Sequence, residues 1–194
     1  MRRGAVISIP GMGYTSMARC TPRFLSELFY YSPRGVMHFT PPRNAEEAWR
    51  RTFGGAAEAV RPLGVELVLI NPPEGRGRPL QEELQLVESK IRESLGRALP
   101  AASLNYFAYK EVPASCEEVR SVDDALARLF QQLDEYMIIT PFGDRQDGDF
   151  EEYGIYLSSV ERPGHEEVIE PEQIPMLMAE LAARLGARRA AQRY

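Results

Sequence analysis

Apolar residues along this chain alternate between short continuous runs and longer stretches with helical spacing. Proline, glycine or polar residues bound the continuous runs, which is typical of buried strands. These predicted strands cover residues 5–9, 36–39, 65–70, 104–112 and 136–140. The clearest helical spacing between them is that of Leu80, Leu84, Val87, Ile91 and Leu95. Such an alternation predicts βαβ units around a mostly parallel sheet, with 65–70 as a central strand.

Local sequence signals predict where several helices begin and end. Thr21-Pro22 is typical of a helix start, because proline suits the first helical position. The pairs Asn44–Glu47 and Ser115–Glu118 each predict a capping box at a helix start. For the later helix, Ser121 with Asp124 is an alternative start. Gly54-Gly55 predicts a break or a close packing contact inside the helix that follows Asn44.

The pattern changes after residue 141, which divides the chain into two predicted parts. Residues 1–141 are expected to form a Rossmann-like α/β core of three layers with about five strands. Residues 142–194 are expected to add a C-terminal β/α extension, packed on the same domain. It comprises a polar, acidic loop, an extra strand at 155–160 with a short partner at 168–169, and a last helix opened by Pro171.

Composition narrows the function classes. The formal net charge is -5, with 28 acidic against 23 basic residues, so extended nucleic-acid binding is not expected. Cys20 and Cys116 stand far apart, and the pattern predicts neither a zinc site nor a secreted disulfide scaffold. The apolar run at 5–9 is too short for a signal peptide, and no run is long enough to span a membrane. A cytoplasmic location is the resulting expectation.

In an open parallel sheet, ligands bind beyond the carboxyl ends of the strands. The polar and glycine residues expected there are the candidate ligand contacts. They are Gly11, Gly13, Tyr14, Thr15, Ser16, Arg19, Arg23, Thr40, Asn71, Lys110 and Thr140.

The loop after the first strand is the best single candidate among them. Its two glycines, Gly11 and Gly13, would let the backbone approach a ligand, and helix N-termini attract anions. The loop lacks the third glycine of a dinucleotide fingerprint, because Ser16 stands there, and no Gly-Lys-Ser/Thr of a phosphate-binding loop follows. A plain tight turn is the alternative interpretation.

Two residues are candidate acids or bases. His38 ends a predicted strand, and Asp144 begins the acidic loop at 143–152. The five carboxylates of that loop suggest that it holds a metal ion or acts as a lid. Their spacing does not match a calcium-binding EF-hand loop, so a solvated surface loop is the preferred interpretation and no metal ligand is assigned.

The strand–loop–helix opening over about residues 4–140 resembles, at the level of fold, Rossmann-like nucleotide-sensing domains, including those that bind cyclic oligoadenylates in CRISPR-linked defence. The resemblance implies a sensor that binds a nucleotide or another phosphate-bearing ligand, with a homodimer as a further expectation. Alternatives are a small hydrolase or transferase acting on a nucleotide or phosphorylated substrate, and a non-catalytic protein-interaction subunit. No cofactor is assigned. The aromatic pair Tyr30-Tyr31 is a candidate dimer contact, with packing within one chain at a helix end as the alternative.

Overall fold

The computed structural model describes residues 1–160 and 168–186, which build a mixed α/β fold around a six-stranded, mostly parallel sheet. The strands are β1 (Gly4–Ser8), β2 (Arg34–His38), β3 (Glu66–Ile70), β4 (Ala98–Ser103), β5 (Glu135–Ile139), β6 (Arg145–Gln146), β7 (Asp149–Phe150) and β8 (Tyr153–Ser158). The large sheet has the order β2-β8-β5-β1-β4-β3, and β6 pairs with β7 in a separate hairpin. Five strands of the large sheet run in the same direction, and β8 runs in the opposite direction, antiparallel to β2 and β5.

Helices cover both faces of this sheet. They are α1 (Tyr14–Cys20), α2 (Arg23–Tyr31), α3 (Ala45–Phe53), α4 (Ala56–Val60), α5 (Leu80–Ser94), α6 (Tyr106–Tyr109), α7 (Cys116–Phe130) and α8 (Ile174–Gly186). Helices α1, α2, α5 and α7 pack over one core, and α3, α4 and α8 pack over the other. Residues on β1 alternate between the two cores, with Ile7 on the first and Val6 on the second, which explains its continuous apolar run.

Several sequence predictions are confirmed. The Asn44 side chain accepts a hydrogen bond from the Glu47 N–H, and Ser115 with Glu118 forms a complete capping box. The chain breaks between α3 and α4 at Gly54-Gly55. The predicted extra strand is β8, whereas its predicted short partner at 168–169 lies beside β2 instead, where Ile169 forms an isolated bridge with Met37. The end of the predicted extension, residues 187–194, lies outside the described residues.

Three predictions about elements were wrong. Residues 104–112 do not form a strand, because the fourth strand is β4 and the aromatic run after it is the short helix α6. The small residues of β4, with Pro100 among them, carry little strand signal, yet every one is buried. The segment from Tyr14 is helix α1 instead of loop, and β3 is an edge strand instead of a central one.

The two cysteines, which the sequence did not connect, form a disulfide. Cys20 at the end of α1 is bonded to Cys116 at the start of α7, with a Cα–Cα distance of 5.1 Å and a sequence separation of 96. The sheet order explains the missed pairing, since α1 and α7 become neighbours only when β5 lies beside β1. In the part of the chain that the structure describes, every helix falls short of what crossing a bilayer requires.

Candidate functional site

The carboxyl ends of β1, β2, β3, β4 and β5 meet at one edge of the sheet, and the loops that follow them form the candidate region. Because β8 is antiparallel, the residues before it, Glu151 and Glu152, reach the same edge. Two parts of this edge differ in character. The loops after β1 and β5 are packed together, whereas the loops after β3 and β4 leave an open cleft.

The loop after β1 is closed by an internal carboxylate. Asp144 is 2% exposed, and its Oδ2 accepts hydrogen bonds from the N–H groups of Gly13 and Ser16, each at 3.0 Å. Its Oδ1 accepts a third from the Ser16 hydroxyl. The N-terminus of α1 therefore already has an anionic partner, which is the role that a bound phosphate would otherwise fill.

The two glycines of this loop are explained by neighbouring backbone. Gly11 has φ +92°, and a Cβ there would lie 2.9 Å from the carbonyl carbon of Phe107 in α6. A Cβ on Gly13 would lie 2.7 Å from the Cα of Gly143. The glycines thus allow the first loop to approach α6 and the loop after β5 closely.

The hydroxyl groups predicted at this edge also have internal partners. Tyr14 donates to the carbonyl oxygen of Gly35, and Thr15 donates to the Glu151 carboxylate at 2.7 Å. The Thr140 hydroxyl accepts from the N–H of Ile155. Thr40 accepts from the guanidinium of Arg51. These contacts join β1, β2, β5 and β8 at their ends.

The three basic residues among the candidate ligand contacts have partners away from the first loop. Arg19 donates to the carbonyl oxygen of Ala114, beside the disulfide. Arg23 begins α2, where its side chain is 91% exposed and pairs with Glu27 at 3.5 Å. Lys110 lies after α6, and its ammonium group is 2.7 Å from Glu118. None of the three contacts Gly13 or Ser16 among the described residues.

His38 and Asp144, the candidate acid/base residues, share no side-chain hydrogen-bond or ion-pair partner among the residues that the structure describes. The Nδ1 of His38 is 3.1 Å from Glu170, its Nε2 is 3.6 Å from Glu152, and its ring packs against Tyr153. Arg43 also reaches Glu152, at 3.7 Å. His38 therefore joins β2 to the segments that precede β8 and α8. Within the described ranges, no three His, Cys, Asp or Glu side chains are grouped as metal ligands would be.

An open cleft of about 240 Å³ lies beyond β3 and β4. Its wall and rim come from the loop between β3 and α5 and from α6. The lining residues are Asn71, Pro72, Glu74, Arg76, Gly77, Arg78, Glu83, Asn105 and Tyr109. Of the sequence candidates, Asn71 alone belongs to this cleft.

A buried polar network forms the floor of the cleft. Asn71, with φ +60°, donates from Nδ2 to Glu83 and to the carbonyl oxygen of Ser103, each at 2.8 Å. Asn105 returns a hydrogen bond to the Asn71 carbonyl oxygen at 2.9 Å. Glu83 also accepts from the N–H groups of Asn105 and Tyr106, so it caps the N-terminus of α6. The network holds the ends of β3 and β4 in a fixed relation.

Two arginines form the rim of the cleft. Arg78 lies 3.9 Å from Glu74, which is a weak contact at an exposed position. The Arg76 guanidinium has neither a hydrogen bond nor an ion pair with any residue in 1–160 or 168–186. Gly77 between them lies against the Tyr109 side chain, since a Cβ on Gly77 would be 3.0 Å from that of Tyr109.

Tyr109 forms the side of the cleft. Its hydroxyl donates to Glu46 at 2.8 Å, which ties α6 to α3. Burial, followed by the Glu46 carboxylate, raises the pKa of the Tyr109 phenol, so it remains protonated and a hydrogen-bond donor at neutral pH.

Sequence reasoning missed most of this cleft. Five of its lining residues were not candidates: Arg76, Arg78, Glu83, Asn105 and Tyr109. The run Gly75-Arg76-Gly77-Arg78 nevertheless lies only a few residues after the predicted strand at 65–70. That run was the available signal. The misassigned strand at 104–112 concealed Asn105 and Tyr109, because it placed them inside the sheet.

The ionisation of Glu83 makes a testable contribution to stability. Burial raises the pKa of the Glu83 carboxyl, and its hydrogen bonds from Asn105, Asn71 and Tyr106 act in the opposite direction. The folded state therefore binds this proton more tightly than the unfolded state. The stability that Glu83 contributes is complete below its unfolded-state pKa, near 4.5, and is lost as the pH rises through the higher folded-state pKa.

We expect Glu83→Gln to remove this pH dependence. Urea unfolding of both proteins between about pH 4 and pH 7 measures it, as the difference between their free energies of unfolding. The wild-type protein should lose stability relative to Glu83→Gln as the pH rises. A difference that stays constant over this range would contradict the expectation.

The chain matches no known protein-family model and no curated protein sequence.

Proposed function

We propose that this protein is a Rossmann-like binding domain for a small phosphate-bearing ligand, such as a nucleotide, held in the cleft beyond β3 and β4. The observation that carries the proposal is the guanidinium of Arg76, which stands at the rim of this cleft without an ion-pair partner in the described ranges. Ligand binding beyond the carboxyl ends of parallel strands is the general behaviour of open α/β sheets.

The chemistry of the lining supports an anionic, hydrogen-bonding ligand. Arg76 and Arg78 offer forked N–H donors that suit phosphate oxygens. Asn71 and Asn105 form a floor that is already held by the hydrogen bonds to Glu83, so little ordering is needed when a ligand enters. The Glu83 carboxylate lies beneath this floor, where its own N–H donors offset its charge.

The size of the cleft limits the ligand. Its volume of about 240 Å³ is below the range of about 300 to 1,000 Å³ of sites for drug-sized molecules. A phosphate with an attached sugar suits this space, and a larger nucleotide would extend past the rim formed by Arg76 and Arg78. The proposal therefore assigns the phosphate-bearing end of the ligand to the cleft.

Binding measurements on two matched arginine variants test this assignment. Arg76→Ala should weaken binding at least about tenfold, because a hydrogen bond to a charged group contributes about 1.5 to 3 kcal/mol. Arg23→Ala should leave the affinity unchanged, since Arg23 is exposed and paired with Glu27. Calorimetric titration with inorganic phosphate, adenosine monophosphate and glucose 6-phosphate provides the readout.

The two variants also separate the cleft from the first loop. Weaker binding in Arg23→Ala with unchanged binding in Arg76→Ala would assign the ligand to the first loop and contradict the proposal. If none of these probes binds the wild-type protein, or raises its thermal midpoint at high concentration, the proposal is wrong. A ligand at about 100 times its dissociation constant should stabilise the fold by about 2.7 kcal/mol.

A further inference from the structure

The two edge strands of the large sheet, β2 and β3, differ in whether another segment covers them. At one edge, β2 is covered by Ile169, whose N–H donates to the carbonyl oxygen of Val36 and whose carbonyl oxygen accepts from the N–H of His38. At the other edge, β3 pairs with β4 alone within residues 1–160 and 168–186. Natural proteins usually protect such an edge with a short strand, proline, a bulge or a charged residue.

The open edge has a pattern that suits another strand. Leu67 and Leu69 lie on one face of β3, with Leu69 42% exposed, and no proline or bulge interrupts the strand. Glu66 is the only charged residue in β3. Helices α4 and α5 contact β3, and among the described residues the backbone groups of β3 that face away from β4 have no strand partner.

We propose that β3 pairs antiparallel with β3 of a second copy of this chain, so that the two sheets become continuous. The pairing is self-complementary about Val68, since Leu67 of each copy then faces Leu69 of the other and Glu66 faces Ile70. A two-fold axis of this kind forms an isologous, closed dimer. Cross-strand leucine contacts on the half-covered face would remove the exposed part of Leu69 from water.

Charge complementarity at the strand ends supports a second copy as the occupant. A groove of about 320 Å³ lies between α4 and the start of β3, and Arg61 is one of its lining residues. The Arg61 guanidinium has no ion-pair partner among the described residues. If the register about Val68 continues past the strand, residue 74 of one copy faces residue 62 of the other. Glu74, which has only a weak 3.9 Å contact with Arg78 in its own chain, then comes next to this groove. Each dimer therefore contains two symmetric Arg61–Glu74 contacts.

Sedimentation of the full-length chain and its variants tests this interface. The wild-type chain should sediment as a dimer, and Leu69→Lys should raise the dissociation constant at least about tenfold because it places an ammonium group against Leu67 of the other copy. Circular dichroism checks that the variant still folds. We expect it to fold, because the Leu69 side chain is exposed in the single chain.

Charge reversal supplies a second, independent test. Arg61→Glu and Glu74→Arg should each weaken the dimer, because each brings like charges together at both symmetric contacts. The double variant Arg61→Glu/Glu74→Arg should restore the dimer, since opposite charges then meet again. This rescue is not expected if either substitution acts only on the folding of one chain.

Several outcomes would overturn the proposal. One is a monomer at every concentration tested, and another is a dimer that resists Leu69→Lys. A dimer abolished by Tyr31→Ser but not by Leu69→Lys would assign the contact to the exposed end of α2.

Discussion

Reduction of the Cys20–Cys116 disulfide is expected to lower the free energy of unfolding by about 4 to 5 kcal/mol. The bond closes a loop of 96 residues, and the chain-entropy model gives about 4.7 kcal/mol for a loop of about 100 residues. Without the bond, the unfolded chain gains the conformations that the loop excluded. A loss of this size is a large part of the roughly 5 to 15 kcal/mol by which domains are stable.

Urea unfolding with and without dithiothreitol measures this contribution. The variant Cys20→Ser/Cys116→Ser is the matched control, because it should unfold near the midpoint of the reduced wild-type protein and should not respond to the reductant. A thiol assay confirms that the wild-type bond has been broken. An unchanged midpoint in a fully reduced wild-type protein would show that the bond contributes little to stability.

Replacement of Asp144 by alanine is expected to cost about 3 to 5 kcal/mol of folding stability. The side chain is buried, and it accepts hydrogen bonds from the N–H groups of Gly13 and Ser16 and from the Ser16 hydroxyl. Alanine leaves these three buried donors without their acceptor and removes the negative charge from the N-terminus of α1. Thermal and urea unfolding of the variant provide the measurement.

Asp144→Asn is the matched control for this prediction. Its amide oxygen can accept from Gly13 and Ser16, and its amide nitrogen can donate to the Ser16 hydroxyl, so only the charge is lost. We expect a cost of about 1 kcal/mol for this variant. Equal losses in Asp144→Ala and Asp144→Asn would mean that the charge, and not the hydrogen bonds, stabilises the loop.

Asp144 belongs to a group of three buried carboxylates that serve the same purpose. Asp123 of α7 accepts from the N–H groups of Phe24 and Leu25 at the start of α2, and Glu83 caps α6 in the same way. In each case, the helix begins without a capping side chain of its own. Each of these carboxylates therefore places a negative charge at the N-terminus of a helix. At α1, Asp144 is the anionic partner for which the sequence of the first loop suggested a bound ligand.

The sequence by itself determined the elements whose signals are local. The spacing of Leu80 to Leu95 predicted α5, the pairs Asn44–Glu47 and Ser115–Glu118 predicted helix starts, and Gly54-Gly55 predicted a break. These signals depend on contacts within one or two helical turns, so they can be interpreted before the fold is known. The continuous apolar strands likewise indicated a sheet covered on both faces.

Tertiary structure alone decided which distant residues meet. Asp144 lies 128 residues from Ser16, and Asp123 lies 98 residues from Leu25, so no local pattern reveals that these carboxylates cap α1 and α2. The same holds for the disulfide, and for the cleft that brings Asn71 and Asn105 together. The order of strands in the sheet sets these contacts, and it follows from the packing of two complete cores, which a local stretch of sequence does not encode.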